Sequence, residues 1–299
     1  MVSATPSGVT PFAGPIGNPV TIATERYAAI LGASPSKGAR SPVLWNAAFK
    51  AAGIDAVMHP MDVTAEDLPA LVAVLKADPR FVGGAVAVPH KQALVPLLDR
   101  VEPEAARIGA VNAIYRDGGE LVGANTDGAG ALSQIEELVG GGHALRTRRA
   151  LVLGLGGAGL AVAAFLAGRV TELTVANRTR ATAETVAAKL GAMVADWPVG
   201  ADVLSKIDLV VNATTIGHAA GPEGSPVAEA DLAVLPSSAA VYDVIYQPDV
   251  TPLLALASAR GLATRNGLGM NLDQAVIAFG KAVPGALEMD AVRAAMRAA

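Results

Sequence analysis

The chain has 299 residues, no cysteine and a formal net charge of −4. Without cysteine it holds no disulfide, no thiolate zinc site and no cysteine nucleophile, and without a long basic run it is not expected to bind nucleic acid. Its four histidines lie far apart in sequence, so no metal site is expected. The length allows two domains, and a hydrophobic content of 52% is enough to fill their cores.

The first part of the chain alternates short apolar runs with helical patterns. Residues 1–24 are rich in Gly, Pro, Ser and Thr, which predicts a mobile extension without a secretory signal; the alternative is that part of it belongs to the first strand. Pro42 suits the first turn of a helix that Ser41 would cap. Further helices are predicted over residues 64–76, from about residue 92, and over 129–139. Strands are predicted at residues 27–31, 56–58, 82–88, 108–114 and 121–122. Because strands alternate with helices, we expect parallel sheets.

Residues 150–179 have the order of a dinucleotide-binding βαβ unit. An apolar run at 150–153 leads into Gly154-Leu155-Gly156-Gly157-Ala158-Gly159, followed by an Ala-rich helix and a strand at 173–176. Gly154 would permit the turn, Gly156 would admit a pyrophosphate, and Gly159 would let the helix pack closely. The helix N-terminus would attract phosphate. A membrane span over residues 150–168 is the competing interpretation, but the phosphate turn explains the glycines better.

The second strand of this unit ends at Asn177-Arg178-Thr179, with Arg180 beside it. NAD sites usually place Asp or Glu here to accept a hydrogen bond from the ribose 2′-hydroxyl. An arginine instead pairs with a 2′-phosphate. We therefore expect NADP rather than NAD. The alternative is that Arg178 and Arg180 are solvated residues at a helix start.

The pattern continues to the C-terminus with a helix at 181–190, strands at 209–214 and 241–246, a helix at 251–260, and a turn at 266–270 before the last two helices. Thr214 ends a predicted parallel strand. Ligands bind at the carboxyl ends of such strands, so we expect Thr214 near the cofactor.

Several separated motifs together resemble the shikimate/quinate dehydrogenase family, from about Glu25 to the C-terminus. They follow the family's order and spacing: Ser41-Pro42, Pro89-His90-Lys91, Gly109-Ala110-Val111-Asn112, Asn125-Thr126-Asp127-Gly128, the Gly154 turn, Asn177-Arg178-Thr179, Asn212-Ala213-Thr214, Tyr246-Gln247-Pro248, and Asn266-Gly267-Leu268-Gly269-Met270 with Gln274. The resemblance implies a two-domain α/β fold. A substrate domain would span residues 25–128, a doubly wound Rossmann NADP domain 129–268, and helices returning to the first domain 269–299.

The resemblance also implies an activity. Members transfer hydride reversibly between NADPH and a cyclic 3-keto acid, such as 3-dehydroshikimate, which here implies a cytoplasmic enzyme of aromatic amino acid biosynthesis. Lys91 and Asp127 match the catalytic pair, in which the lysine moves the proton and the aspartate holds it and tunes its pKa. Ser41, Asn112, Tyr246 and Gln274 match substrate-side residues, and Gly267 is grouped with the cofactor-binding residues.

The expected partner is thus a small cyclic hydroxy or keto acid, with no nucleic acid and no membrane. Oligomeric state is not readable from the sequence, and a homodimer is kept as a hypothesis.

The substrate-side motifs depart from the family pattern. The family's Ser-x-Ser-Pro is Ala39-Arg40-Ser41-Pro42 here, and its Asn-Val-Thr is Ala85-Val86-Ala87. The loop before Ala39 is about one residue longer, so Ser34 or Ser36 is a candidate replacement, and Lys37 or Arg40 a candidate cation. Each lost hydrogen bond to a carboxylate contributes about 1.5–3 kcal/mol. A less hydroxylated or more apolar cyclic acid is therefore an alternative substrate.

Two further hypotheses stay open at this point. One is a non-catalytic NADP(H)-binding redox sensor, which would not need Lys91 and Asp127. The other is a two-domain dehydrogenase of the methylenetetrahydrofolate type, against which residues 125–128 and 266–270 count.

Overall fold

The computed structural model describes residues 10–299 and divides into two compact units. The first unit extends to Thr126 and includes Ala275–Ala299, and the second unit is Asp127–Gln274. Each unit is built on one six-stranded sheet with helices around it, so the predicted two-domain α/β class is confirmed.

The first unit contains a mixed sheet. The strands of this unit are β1 (Thr10–Pro11), β2 (Thr21–Ile22), β3 (Arg26–Gly32), β4 (Ala56–Asp62), β5 (Phe81–Val86), β6 (Arg100–Val101), β7 (Ala113–Asp117) and β8 (Glu120–Ala124). Strands β1 and β2 form a separate pair, and the other six form the mixed sheet. Its first helices are α1 (Ser41–Ala51), α2 (Leu68–Ala77) and α3 (Pro103–Ile108), with 3-10 turns at Pro35–Lys37 and Val95–Leu97. The strand order is β4-β3-β5-β7-β8-β6. Strand β3 is parallel to β4 and β5, whereas β7 is antiparallel to β5 and β8.

The expectation of parallel sheets is therefore wrong for β7, which pairs antiparallel with both of its neighbours, whereas β6 and β8 pair in parallel. Strands β7 and β8 are joined through Gly118 and Gly119, which both have positive φ. Such a two-glycine turn forms a tight hairpin and forces antiparallel pairing.

Three local expectations in this unit also need correction. Residues 10–24, predicted as part of a mobile extension, form the β1–β2 pair and bury Val20 and Ile22 in the core; residues 1–9 lie outside the described part. The helix expected from residue 92 is only the 3-10 turn Val95–Leu97. Ser41 is the first residue of α1 rather than its cap, and no side chain caps that end.

The second unit contains a fully parallel sheet. Its elements are α4 (Thr126–Val139, beginning at the last residue of the first unit), α5 (Gly142–Leu145), β9 (Arg149–Leu153), α6 (Gly157–Leu166), β10 (Glu172–Ala176), α7 (Arg180–Leu190), β11 (Met193–Val194), α8 (Ala201–Leu204), β12 (Leu209–Asn212), α9 (Glu229–Leu232), β13 (Ala240–Asp243), α10 (Pro252–Ala259) and β14 (Ala263–Arg265). The strand order β11-β10-β9-β12-β13-β14 is the doubly wound Rossmann order.

The central strand β9 is buried on both faces. Residues 150–153 are fully buried and divide between two apolar clusters, one on each side of the sheet. A continuous apolar run is typical of a strand covered by helices on both faces. The chain order reverses between β9 and β12, and the loops after these two strands diverge there to leave a crevice.

The chain ends with α11 (Leu268–Ala282) and α12 (Met289–Arg297). In the first unit, Phe279 of α11 packs on Trp45 and Phe49 of α1, with ring centroids 5.4 and 5.1 Å apart. Helix α12 also packs on α1 and buries Val292 and Met296. Within residues 10–299, no helix is both long enough and apolar enough to span a bilayer.

Candidate active site

The glycine loop between β9 and α6 has the conformation that its sequence predicts. Gly154 has a φ of +84°, and a Cβ there would lie 2.8 Å from Cγ2 of Thr214. A Cβ on Gly159 would lie 1.9 Å from the carbonyl oxygen of Gly154. Because that atom belongs to the backbone, a side chain at residue 159 would push helix α6 away from the loop.

The N-terminus of α6 is open. Gly156 occupies the cap position, and no side chain caps the helix. Cβ atoms placed on Gly156 or Gly157 would meet nothing within 4 Å. The first N–H groups of a helix have no partner inside it, and Ala158 lies in this first turn. This end of α6 therefore suits a phosphate group.

Asn177 braces the glycine loop. Its Oδ1 accepts a hydrogen bond from the backbone N–H of Leu155 at 3.0 Å, and its Nδ2 donates to the carbonyl of Thr179 at 3.1 Å. Asn177, predicted as a cofactor residue, therefore also holds the loops after β9 and β10 together.

A cavity of about 530 Å³ opens at the carboxyl edge of this sheet. Six of the predicted cofactor residues line it: Gly154, Gly156, Asn177, Arg178, Thr179 and Thr214. Leu155, Trp197, Ala213, Thr215, Ile216 and Pro222 complete the lining. The volume lies within the range of small-molecule sites. Sequence reasoning missed Trp197, although a tryptophan in a loop after a Rossmann strand is a usable signal, since the chain has only two.

The two arginines at this edge differ in their partners. Arg178 lines the cavity, is exposed, and forms no ion pair with residues 10–299. Arg180 pairs with Glu184 at 2.9 Å and with Asp196. Arg178 is the only ionisable residue among those that line the cavity. The cavity therefore presents a positive charge, with no carboxylate among the described residues that line it.

A buried polar network fixes Thr214. Asn212 accepts hydrogen bonds at Oδ1 from the N–H and hydroxyl of Thr214, at 3.0 and 2.8 Å, and donates to Asp243 at 3.0 Å. Asp243 also accepts from the Thr251 hydroxyl at 2.7 Å and from the N–H of Ile245 at 3.0 Å. Burial raises the pKa of Asp243. The network joins the ends of β12 and β13.

The remaining predicted residues of the second unit do not line the cavity. Tyr246 follows β13 and is 37% exposed. The N–H of Gly267 donates to the carbonyl of Ile245 at 3.1 Å, on the same loop. Gln274 lies on α11, and its Nε2 donates to the carbonyl of Asn271 at 3.0 Å.

In the first unit, Lys91 lies on a turn after β5. The preceding His90 is buried, and its Nε2 donates to the carbonyl of Val63 at 2.9 Å, whereas its Nδ1 has no hydrogen-bond partner among residues 10–299. The carbonyl of Lys91 accepts from the N–H of Val111 at 2.8 Å. These contacts hold the turn against the segment that leads to Asn112.

Asn112 is buried and paired with Thr126. Its Oδ1 accepts from the N–H of Thr126 at 2.6 Å, and its Nδ2 lies 3.0 Å from the Thr126 hydroxyl. Asn125 donates to the carbonyl of Ala110 at 3.1 Å. Two of the predicted motifs are therefore clamped together, and Asp127, the first residue of the second unit, follows directly.

A second cavity, of about 370 Å³, lies in the first unit. It is lined by Gly32, Ala33, Ser34, Pro35, Lys37, Gly38, Ala39, Ala87 and Val88. Of the four candidate replacements for the lost serine, Ser34 and Lys37 line it, whereas Ser36 and Arg40 do not. The retained serine, Ser41, does not line it either. Ser36 is committed to Asp62, at 2.9 Å through its N–H and 2.5 Å through its hydroxyl. Among residues 10–299, no group of three His, Cys, Asp or Glu side chains is placed to hold a metal.

Comparison with known proteins gives a consistent result. Residues 31–114 match the shikimate dehydrogenase substrate binding domain, and residues 137–221 match shikimate / quinate 5-dehydrogenase. A shikimate dehydrogenase (NADP(+)) from Citrifermentans bemidjiense is 44% identical over 258 residues, covering 82% of this chain and 86% of that protein.

Solved structures agree with these matches. The shikimate 5-dehydrogenase from Thermus thermophilus in complex with NADP(H) and shikimate is 32% identical, with a TM-score of 0.75, covering 91% of this chain and 99% of that one. The ligand-free 5-ketofructose reductase of Gluconobacter sp. strain CHM43 is 29% identical, with a TM-score of 0.76, covering 92% and 98%.

Proposed function

The chain belongs to the shikimate dehydrogenase family, as its motifs predict, and on that premise we propose that it is an NADP-dependent oxidoreductase that interconverts a cyclic 3-keto acid and its alcohol. The first pair to test is 3-dehydroshikimate and shikimate. One observation supports the proposal most: the cavity at the β9–β12 switch point combines the open glycine loop with the unpaired cation of Arg178.

The residues around this cavity fit NADP. The N-terminus of α6 suits the pyrophosphate, and Arg178 suits a 2′-phosphate that a carboxylate at this place would repel. Trp197 offers an aromatic face to an adenine ring, and Thr214 stands at the strand end. When bound, the cofactor supplies the hydride.

Lys91 and Asp127 are proposed to manage the proton. The ammonium of Lys91 gives a proton to the carbonyl oxygen during reduction, and the neutral amine takes it back during oxidation. The Asp127 carboxylate holds the lysine in place. The backbone contacts of the Lys91 turn and the Asn112–Thr126 clamp support this, because they fix the backbone at Lys91 and directly before Asp127.

The other substrate-side assignments are proposals of the same kind. We assign contacts with the substrate to Ser41, Asn112, Tyr246 and Gln274, and a place beside the cofactor to Gly267. Residues 25–128 would form the substrate domain and 129–268 the cofactor domain. A cytoplasmic location and a homodimer remain predictions from the sequence.

The direct test is the absorbance of reduced nicotinamide with purified protein, NADP⁺ and shikimate. Lys91→Ala is expected to lower kcat by about 10²–10⁴-fold, the usual range for loss of a general acid-base, while NADPH binding is unchanged. Lys50→Ala, at the exposed end of α1, is the control and should keep full activity. Tight NADPH binding without turnover of any cyclic hydroxy acid would favour the redox-sensor hypothesis instead.

A different cyclic or polyhydroxy ketone is the second candidate substrate. Ala39 and Ala87 line the 370 Å³ cavity where the family motifs have Ser and Thr. The similarity to a 5-ketofructose reductase supports this candidate, since that protein's name gives a substrate other than shikimate. Higher kcat/KM for 5-ketofructose than for 3-dehydroshikimate would select it.

A further inference from the structure

The 370 Å³ cavity of the first unit is lined mostly by apolar residues and glycines but carries one positive charge. Lys37 is the only ionisable residue among those that line it, and Ser34 is the only hydroxyl. The remaining lining consists of Gly, Ala, Pro and Val. A small cavity with one cation and no anion concentrates positive potential, which attracts an anionic group.

Lys37 is carried on an anchored turn. The N–H and hydroxyl of Ser36 bind the two carboxylate oxygens of Asp62 at the end of β4, at 2.9 and 2.5 Å. The N–H of Ala39 donates to the carbonyl of Pro35 at 3.0 Å, and Pro35 is buried. The backbone beside Lys37 is therefore fixed, and both carboxylate oxygens of Asp62 already accept hydrogen bonds from Ser36.

The Lys37 side chain itself is exposed and makes no ion pair with any residue of the described range, 10–299. Lys37 is thus a cation at the wall of a cavity, on a rigid turn, and its ammonium is available to bind an external anion. This arrangement lowers the ordering cost that a mobile lysine would otherwise incur on binding.

The same cavity is connected to the Lys91 turn. The N–H of Ala87 donates to the carbonyl of Leu31 at 2.7 Å, and the N–H of Ala33 donates to the carbonyl of Val88 at 3.3 Å. These bonds join the loop that carries Lys37 to the loop that leads into Lys91. A ring held beside Lys91 would thus have the Lys37 cavity on the same wall of the first unit.

We propose that the Lys37 ammonium binds the carboxylate of the substrate, with the Ser34 hydroxyl as a second donor. This inference rests on the proposed function and deepens it. Ala39 and Ala87 have no hydrogen-bond donor in their side chains, so the Lys37 cation takes over the part of the anion contact that they cannot make. A point charge demands less exact geometry than two hydroxyls, so the site selects for a negative charge and less for ring shape.

The test compares shikimate with its uncharged methyl ester in the intact enzyme, under saturating NADP⁺. In Lys37→Met, the KM for shikimate is expected to rise about 10- to 100-fold, while kcat/KM for the ester changes little. Lys37→Arg should restore most of the preference for the acid. Lys50→Met, an exposed lysine on α1 that does not line this cavity, should leave the acid-to-ester ratio unchanged.

The outcomes separate the two claims. If Lys37→Met keeps the wild-type acid-to-ester ratio while the wild type turns over shikimate, the role of Lys37 is refuted and the proposed function stands. If the wild type turns over neither the acid nor the ester, shikimate is excluded as the substrate and the Lys37 inference fails, while the proposed function is refuted only if no cyclic hydroxy acid is turned over. A melting temperature equal to that of the wild type shows that the Lys37→Met protein is folded.

Discussion

Replacing Arg178 by glutamine is expected to remove most of the preference for NADP(H) over NAD(H). Arg178 is the one cation that lines the 530 Å³ cavity, and no carboxylate lines it. The loss should therefore fall on the 2′-phosphate, which NAD(H) lacks, and NADH affinity should change little.

The magnitude follows from the exposure of this arginine. A hydrogen bond to a charged group contributes about 1.5–3 kcal/mol, and each 1.4 kcal/mol corresponds to a tenfold change in Kd. Because Arg178 is exposed, solvent and salt screen part of its interaction, so the lower half of this range applies. We expect Kd for NADPH to rise about 10- to 40-fold at moderate ionic strength.

The assay is a fluorescence titration with NADPH and with NADH. Arg180→Gln is the matched control, because the Arg180 guanidinium is already paired with Glu184 and Asp196 and does not line the cavity. It should change the NADPH-to-NADH ratio less than threefold, near the limit set by long-range charge. If Arg178→Gln keeps the wild-type NADPH-to-NADH affinity ratio, or if Arg180→Gln loses it, Arg178 does not bind the 2′-phosphate.

Three further predictions address the same unit. Gly159→Ala places a Cβ 1.9 Å from a loop carbonyl, so it should cost about 1–3 kcal/mol in urea unfolding and weaken NADPH binding. Gly157→Ala, with an open Cβ position, should leave the free energy of unfolding close to that of the wild type. Trp197→Ala should raise Kd for NADPH about 5- to 100-fold through lost stacking, and an unchanged Kd would show that the adenine lies elsewhere. Burial raises the pKa of Asp243 above its ordinary value of 3.8. The native state therefore binds this proton more tightly than the unfolded chain does. As a result, the free energy of unfolding falls as pH rises from 3.8 through the raised pKa. Asp243→Asn should remove that fall, and identical pH profiles for the two proteins would count against the assignment.

The site was predictable where a short segment determines its own shape. The apolar run, the glycine loop and the helix after it lie in one stretch of sequence, and the structure has β9, the loop and α6 there. Gly154 is needed because its φ is +84°, and Gly159 because a Cβ there would meet the backbone carbonyl of Gly154 in the same loop. Such requirements are local, so they are visible in sequence.

The parts that were missed depend on contacts between distant residues. Asn212 and Asp243 lie at the ends of two strands, and only the sheet order makes them neighbours. Residues 10–24 were predicted to be mobile because their composition is turn-rich, but Val20 and Ile22 find a core surface to cover. Composition does not reveal whether such a surface exists.

By itself, the sequence determined the α/β class, the Rossmann unit, the family and the kind of chemistry, because apolar periodicity and motif order survive without any knowledge of contacts. Only the tertiary structure decided which of the two arginines, Arg178 or Arg180, is paired with acids, and which of the four candidate groups lie at the wall of the 370 Å³ cavity. These choices depend on partners far apart in sequence, such as Asp196 for Arg180 and Asp62 for Ser36. Electrostatic pairing acts through space, and the fold alone sets which charges are close.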